Sequence, residues 1–235
     1  MEKKVLIFAA TYNEAENIKN FIEKIFELNI ELDLLIIDDN SPDKTWEIVE
    51  NYSKRNKNII LIKREKKQGL DTAHKTAFNF AKEKTYDYLI TLDADLSHDP
   101  KIIPNFIDQL EDHVFVIGSR YIKDGKSEMK LRRYLLSLIG NKFIKIVSGI
   151  KCDEFTSAYR GFDLNKLKKI NLEDVNATGY SFFMQTIFLL NKKGYPIKQI
   201  PIIFKNRAQG ISKIPKIEIF RTLYNIFKLY FKKNL

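Results

Sequence analysis

The sequence has a single cysteine, Cys152, and no long uncharged apolar run. One cysteine excludes a disulfide within the chain and favours a reducing compartment. No stretch reaches the roughly 18–20 uncharged apolar residues that a membrane-spanning helix needs. The apolar run near the N-terminus, residues 5–10, is too short for the core of a secretory signal peptide, and acidic residues follow it directly. We therefore expect a cytoplasmic location without a membrane span.

Low-complexity sequence is also missing, because aromatic and branched apolar residues run through all 235 positions. The chain is 44% hydrophobic and 30% charged, which is ordinary for one α/β domain with a sizeable core. Its 40 Lys and Arg residues outnumber its 30 Asp and Glu residues, giving a formal net charge of +10. That charge suits nucleic acid, an anionic membrane surface or phosphorylated substrates, and does not select among them.

Short apolar runs alternate with amphipathic stretches over the first 95 residues. They predict strands at 5–10, 32–39, 58–65 and 86–95 and helices at 13–28, 41–56 and 69–84. This alternation is typical of a mostly parallel, doubly wound α/β sheet with flanking helices. Such sheets bind ligands at the carboxyl ends of their strands.

Polar and acidic residues stand at the ends of three of these strands, at positions 11–14, 38–40 and 93–95. Carboxylates gathered at one sheet edge repel one another unless a cation or a donor group lies among them. In the D-x-D sequence at 93–95 the middle residue points away, so Asp93 and Asp95 can flank one site. Hard oxygen ligands of this kind suit Mg²⁺ or Mn²⁺ shared with substrate phosphates. The alternative is that both residues cap the helix that Pro100 begins.

Six segments, taken together, resemble the family-2 glycosyltransferases. They are TYNEAENI (11–18), IIDDNSPDKTWEI (36–48), GLDTAHKTA (69–77), LDADLSHDP (92–100), GSRY (118–121) and RAQGISK (207–213). The R-x-x-G-x-S-K pattern in the last segment resembles the polyprenyl-phosphate branch of that family, the dolichyl-phosphate mannose synthase type. The matches run in order over nearly the whole chain.

The resemblance implies a GT-A fold over residues 1–213, with a GDP- or UDP-linked sugar donor on its first half. A divalent cation, Mg²⁺ or Mn²⁺, is implied at Asp93 and Asp95, with Ser97 as a third ligand where some relatives have the longer Gln. Arg64 and Lys67 are either cationic neighbours of the donor or part of a solvated basic loop. The positions implied to bind the nucleotide sugar are Thr11, Tyr12, Glu14, Asp39, Asp93, Arg207 and Lys213.

The second half is implied to bind the acceptor, a polyprenyl or dolichyl phosphate. Arg120 in GSRY, and Arg133 with Ser137 in RRYLLS, are implied to bind its phosphate. Arg133 and Ser137 are four residues apart and share one helix face, whereas Arg132 points about 100° away around the helix. Guanidinium groups stay charged and grip phosphate oxygens in pairs.

An acceptor phosphate changes the chemistry that the site must supply. A hydroxyl acceptor usually needs a general base, whereas a phosphate monoester is already anionic near neutral pH because its second pKa is about 6. We therefore expect single displacement with inversion, moving mannose from GDP-mannose. Asp95, Arg120 and Arg133 are the expected catalytic residues, and Asp153 is expected to be structural or acceptor-side rather than a base.

Two other functions stay open on the sequence alone. One is a family-2 glycosyltransferase that extends a glycan at a sugar hydroxyl. The other, from a different class, is a basic nucleic-acid-binding module, which gives no reason for acidic residues at strand ends. Those acids would repel a phosphate backbone, so we expect no nucleic-acid partner.

Three segments depart from the pattern of the polyprenyl-phosphate enzymes. GLGTA has Asp71 in place of its second glycine, TSGFR has Ala158 and Tyr159 in place of Gly and Phe, and GY-x-F-x-x-E ends in Gln185. These changes bear on the choice of sugar and acceptor and leave the expected metal and diphosphate chemistry intact.

Two basic, apolar segments are candidates for contact with lipid. They are residues 133–151 and residues 217–234, the second within a predicted C-terminal amphipathic helix at 214–235. An aromatic, basic amphipathic helix can lie in the headgroup region of an anionic membrane. We expect a peripheral protein on the cytoplasmic face of a membrane, and a membrane-embedded partner subunit or packing on the protein's own core are the alternatives.

Overall fold

The computed structural model describes residues 3–207 and residue 209. Within this part of the chain the strands are β1 (Val5–Thr11), β2 (Asp33–Asp38), β3 (Ile59–Lys63), β4 (Tyr88–Thr91), β5 (Phe115–Ser119), β6 (Lys126–Ser127), β7 (Arg160–Asp163), β8 (Lys198–Pro201) and β9 (Ile203–Phe204). The helices are α1 (Ala15–Phe26), α2 (Thr45–Ser53), α3 (Leu70–Glu83), α4 (Ile103–Asp112), α5 (Leu131–Ser148) and α6 (Tyr180–Lys192). The predicted helix 214–235 and Lys213 lie outside the described residues.

Seven strands form one sheet in the order β3-β2-β1-β4-β7-β5-β8. All neighbours in this sheet run parallel except β7, which is antiparallel to both β4 and β5. Strands β6 and β9 form a small parallel pair of their own. The predicted mostly parallel, doubly wound sheet with flanking helices is therefore confirmed.

Helices cover both faces of the sheet because side chains alternate along each buried strand. Leu6 and Phe8 of β1 pack into one core with α3 and α6, whereas Val5 and Ile7 pack into a second core with α1 and α4. Among the described residues, no helix combines the length and the apolar character that crossing a bilayer requires.

Strand register brings the three polar strand ends to the same edge of the sheet. Thr11 of β1 pairs with Asp38 of β2, and Phe8 pairs with Thr91, the last residue of β4. The strand order turns at β1, which has β2 on one side and β4 on the other. Open α/β sheets bind their ligands at such a switch point.

Two element boundaries differ from the predicted ones by four residues, and the others by fewer. The fourth strand ends at Thr91 rather than at residue 95, so the D-x-D sequence lies in the turn beyond it. Helix α2 begins at Thr45 rather than at residue 41, because residues 41–44 form a turn. In that turn Asp43 Oδ1 accepts hydrogen bonds from the backbone and hydroxyl of Thr45, at 3.0 and 2.6 Å.

Candidate active site

The D-x-D turn is held by a left-handed residue and by bonds to Asp95. Leu96 has φ +62°, a conformation that costs a leucine about 1–3 kcal/mol and that recurs at functional sites. This turn lets the backbone and hydroxyl of Ser97 donate to Asp95 Oδ1, at 3.0 and 2.6 Å. Ala94, the middle residue, is buried, while 38% of the Asp93 side chain stays accessible.

Arg207 connects the D-x-D turn to the first helix of the chain. Its guanidinium contacts Asp95 Oδ2 at 3.0 Å and Glu14 Oε1 at 2.8 Å. The other oxygen of Glu14 accepts a 2.8 Å hydrogen bond from Asn17. Burial opposes the charge of Arg207, but Asp95 and Glu14 more than offset that effect and raise its pKa. Two residues implied to bind the donor, Glu14 and Arg207, thus lie together with the implied metal ligand Asp95, although Glu14 and Arg207 are 193 positions apart.

The crowding of Asp93 and Asp95 is visible in the pKa of Asp93, which is raised to about 7. Although the Asp93 side chain is partly exposed, loss of water around its carboxyl group is the main cause of the shift and the charge of Asp95 the second, whereas Arg207 and Arg120 act in the opposite direction. His98 does not relieve this crowding as a cation. Burial lowers the pKa of His98 to about 4, and its Nδ1 accepts the backbone N–H of Asp93 at 3.2 Å.

The residues at this turn fit a divalent cation. Carboxylates held close together favour a cation between them, and Mg²⁺ commonly binds through one or two carboxylates plus substrate phosphates. Within residues 3–207 and 209, no cluster of three or more acidic, histidine or cysteine side chains forms a complete metal site. The hydroxyl of Ser97 is buried against Asp95, which favours an orienting role over that of a third ligand.

The residues at the ends of β1 and β2 and in the loop before α3, here called the donor rim, are held by hydrogen bonds and an ion pair. The Thr11 hydroxyl donates to Asp38 at 2.7 Å, so it supports the neighbouring strand end. Asp39 forms a 2.5 Å ion pair with Arg64, and its other oxygen accepts from the backbone of Gly69 at 3.1 Å. Arg64 is therefore a buried partner of Asp39 rather than part of a solvated loop. The Lys67 ammonium group lies over the ring of Tyr12, 3.9 Å from the centroid of that ring.

Arg120 lies in a buried ion pair that the sequence analysis missed. Its Nε and one terminal nitrogen contact Glu154 at 2.7 and 2.8 Å. Burial works against both charges, but the pairing raises the pKa of Arg120 and lowers that of Glu154. Glu154 also accepts from the backbone of Thr156 and Ser157, both at 3.1 Å. One feature of the sequence could have identified Glu154. It stands two residues before Thr156, where the family pattern D-x-T-S-G-F-R has an aspartate.

Helix α5 carries Arg133 and Ser137 four residues apart, on one face of the helix. The Tyr121 hydroxyl donates to Ser137 Oγ at 2.7 Å. The pKa of Tyr180 is raised, first by burial and then by Asp93 and Asp95, while Arg133 and Arg207 oppose the shift. Tyr180 therefore lies within reach of the charges of the D-x-D turn, and neither tyrosine was singled out from the sequence.

Asp153 is engaged with its neighbours. Lys145 Nζ contacts Asp153 Oδ1 at 2.6 Å, and Gln199 bonds both the backbone and the carboxylate of Asp153, at 2.9 and 3.3 Å. These contacts tie the loop after α5 to β8.

Comparison with known proteins gives a family and close relatives. Residues 6–171 match the family described as "Glycosyl transferase family 2". The chain is 30% identical over 212 residues to an undecaprenyl-phosphate mannosyltransferase of Micrococcus luteus, covering 90% of this chain and 87% of that protein. It is 27% identical over 227 residues to a polyprenol monophosphomannose synthase of Mycolicibacterium smegmatis, covering 95% and 86%.

Solved structures share the fold at lower identity. A mannosyltransferase from Pyrobaculum calidifontis, in complex with GDP-Man and Mn²⁺, has a TM-score of 0.60 at 17% identity, with 100% of this chain and 64% of that chain covered. A glucosyl-3-phosphoglycerate synthase from Mycobacterium tuberculosis, with Mn²⁺ and UDP, has a TM-score of 0.68 at 16% identity, with 97% and 80% covered. Both neighbours are GT-A enzymes, so the implied GT-A fold is confirmed.

Proposed function

The chain belongs to glycosyltransferase family 2, and from this premise we propose that it transfers mannose from GDP-mannose to a polyprenyl phosphate, with inversion at the anomeric carbon. That it is a glycosyltransferase follows from the family; the donor, the acceptor and the stereochemistry are the proposal. The two relatives named above support it, since the name of each specifies a polyprenyl acceptor and mannose.

One observation carries the choice of a phosphate acceptor over a sugar hydroxyl. On the acceptor side of the site, burial works against the charge of Glu154, but its pairing with Arg120 at 2.7 Å lowers the pKa of the carboxyl group. A carboxylate held in an ion pair is a poor general base, because its partner stabilises the charged form. An acceptor phosphate is already ionised and needs cationic groups instead, which Arg133 and Arg120 supply.

The donor half supplies groups suited to a nucleoside diphosphate. We assign Asp93 and Asp95 to hold Mg²⁺ or Mn²⁺, and Arg207 to face the diphosphate from the opposite side. Both structural neighbours were solved with Mn²⁺, which supports dependence on a divalent cation. When bound, the cation offsets the negative charge that collects on the departing diphosphate.

The proposed reaction is balanced without a proton from the protein. An acceptor phosphate oxygen forms a bond to the anomeric carbon while the bond from that carbon to the β-phosphate oxygen breaks. The electron pair leaves with GDP. The protein's contribution is to hold the two phosphate groups on opposite sides of the sugar and to stabilise the negative charge that moves between them.

The direct test follows labelled sugar into the organic phase. The purified chain is incubated with polyprenyl phosphate and a panel of labelled GDP- and UDP-sugars, with and without a chelator. We expect label in the lipid fraction with GDP-mannose, loss of that label on chelation by roughly tenfold or more, and recovery with Mn²⁺. Label that appears only in a water-soluble glycan would instead favour transfer to a hydroxyl.

We also propose that the exposed side of α5 docks on an anionic bilayer, where a polyprenyl acceptor is embedded. Leu131, Ile139 and Ile146 on this side are 70%, 62% and 80% exposed. The helix turns by about 100° per residue, which places them within one stripe. Arg132 and Lys142 lie along the same stripe and are exposed, and such charges attract anionic lipids.

Vesicle binding tests the α5 surface. The double variant Ile139→Asp with Ile146→Asp should bind vesicles of phosphatidylglycerol and phosphatidylcholine roughly tenfold less well, because it places two charges against the bilayer. Co-sedimentation measures the bound fraction. The control with the same charge change is Asn20→Asp with Asn51→Asp, on exposed positions of α1 and α2. Equal binding by both double variants would mean that α5 does not face the membrane.

A further inference from the structure

We propose that Asp71 is a positioning residue that fastens the start of α6 to the donor half of the site and so couples nucleotide binding to acceptor transfer. The proposal rests on the proposed function for its catalytic consequence, but the fastening itself is a matter of geometry. Asp71 lies in the first turn of α3, is 8% exposed, and stands where the GLGTA pattern has a glycine.

Asp71 makes a direct hydrogen bond to the residue that precedes α6, beside the packing of His74 of α3 against Phe182 and Phe183 of α6. Asp71 Oδ1 accepts the backbone N–H of Gly179 at 3.0 Å. Gly179 is the residue that caps the N-terminus of α6 and has φ +58° and ψ −138°, a conformation that favours glycine. A carboxylate at a helix N-terminus is also favoured by the partial positive charge there. The bond therefore fixes both the position and the direction in which α6 begins.

A second departure from the family pattern holds the same segment. Gln185 Oε1 accepts the backbone N–H of Ala177 at 2.7 Å, from the second turn of α6. Residues 177–179 form the entry to α6. Gln185 bonds its first residue, Ala177, and Asp71 bonds its last residue, Gly179. Two side chains that depart from the family pattern therefore bond the same short loop.

On the side away from α6, Asp71 is connected through Gly69 to Asp39 and Arg64 of the donor rim. Gly69, which precedes α3, donates its N–H to Asp39 at 3.1 Å, and its carbonyl accepts from Arg64 at 3.0 Å. Gly69 and Asp71 pack closely, since a Cβ on Gly69 would lie 3.3 Å from Asp71 Oδ1. Any nucleotide that orders Asp39 and Arg64 therefore also orders Asp71.

What this connection positions is Tyr180, the first residue of α6. Tyr180 directly follows Gly179, the residue that Asp71 bonds, and it lies within reach of the charges of Asp93 and Asp95. Loss of the Asp71 bond would release the α6 entry and with it Tyr180. Donor affinity should change little, whereas the step that joins donor and acceptor should slow.

Amide hydrogen exchange and kinetics test the fastening together. In Asp71→Ala, peptides covering 177–182 should exchange roughly tenfold faster, and GDP with Mn²⁺ should no longer slow them. Transfer to a water-soluble, short-chain polyprenyl phosphate should fall roughly tenfold in kcat, while the GDP dissociation constant stays within about threefold. Asp71→Asn keeps an oxygen that can accept from Gly179, so it should behave like the wild type.

Asp163→Ala is the matched control, since Asp163 is also buried and also accepts a backbone N–H, from Lys166 at 2.9 Å. Asp163 pairs with the first residue of β4, so it lies at the end of the strands that is opposite to the site. Should Asp71→Ala not fold, Gln185→Ala releases the same entry. Wild-type exchange in the folded Asp71 or Gln185 variant would overturn the proposal, and so would equal losses in Asp71→Ala and Asp71→Asn. If the wild-type protein transferred no sugar to polyprenyl phosphate, only the proposed function would be refuted. The hydrogen-exchange comparison would still test whether Asp71 holds the start of α6.

Discussion

Asp95→Asn should lower turnover roughly 1,000-fold, or about 4 kcal/mol in transition-state free energy, while leaving the fold intact. The amide keeps the shape of the side chain and one oxygen for the Ser97 N–H and hydroxyl. It removes the charge that faces Arg207 at 3.0 Å and that a divalent cation would need. Steady-state transfer measures the rate, and the paramagnetic resonance signal of Mn²⁺ in the presence of GDP measures cation affinity, which should fall with it.

Asp99→Asn is the control for this variant. Asp99 is four residues further along and caps a short 3₁₀ turn by accepting from the backbone of Lys101 at 3.1 Å, a bond that the amide oxygen can still make. Its turnover should stay within about threefold of the wild type, as for a surface substitution. A similar loss in both variants, or an Asp95→Asn enzyme with unchanged Mn²⁺ affinity, would contradict the assignment of Asp95.

The first half of the fold was predictable because its signals are local. Each of β1–β4 is a buried run bounded by polar residues, and each of α1–α3 has an apolar face, so four strands and three helices were predicted near their observed places. The end of β4 and the start of α2 were misplaced by up to four residues. Those boundaries depend on turn geometry, such as φ +62° at Leu96 and at Lys44, which residue type alone does not specify.

The second half was less predictable because its contacts join distant positions. Strand β7 lies antiparallel between β4 and β5, and nothing in its own four residues encodes that direction. The Arg120–Glu154 pair spans 34 positions, so the sequence analysis identified the arginine without the carboxylate that holds it. Arg120 and Arg133 were implied by resemblance, whereas their surroundings, Tyr121 and Tyr180, follow only from tertiary packing.

Arg133→Ala should lower kcat/KM for a short-chain polyprenyl phosphate roughly 100-fold, or about 2.7 kcal/mol, with little change in donor affinity. The variant lacks the guanidinium group, which carries a charge and can donate two hydrogen bonds to a phosphate. This group lies one helical turn before Ser137, where the acceptor phosphate is proposed to bind. A water-soluble acceptor keeps membrane binding out of the measurement. Donor affinity is measured separately by calorimetry with GDP and Mn²⁺.

Arg132→Ala supplies the comparison, because the same charge is removed from the next residue on α5. Arg132 points about 100° away, toward the exposed stripe rather than the site, so turnover with the soluble acceptor should stay within about twofold. Arg133→Lys should lie between the two, since lysine keeps the charge but not the planar fork that grips two phosphate oxygens. If Arg132→Ala and Arg133→Ala lost activity equally, α5 would contribute only general positive charge, and the acceptor phosphate would have to be assigned to Arg120 alone.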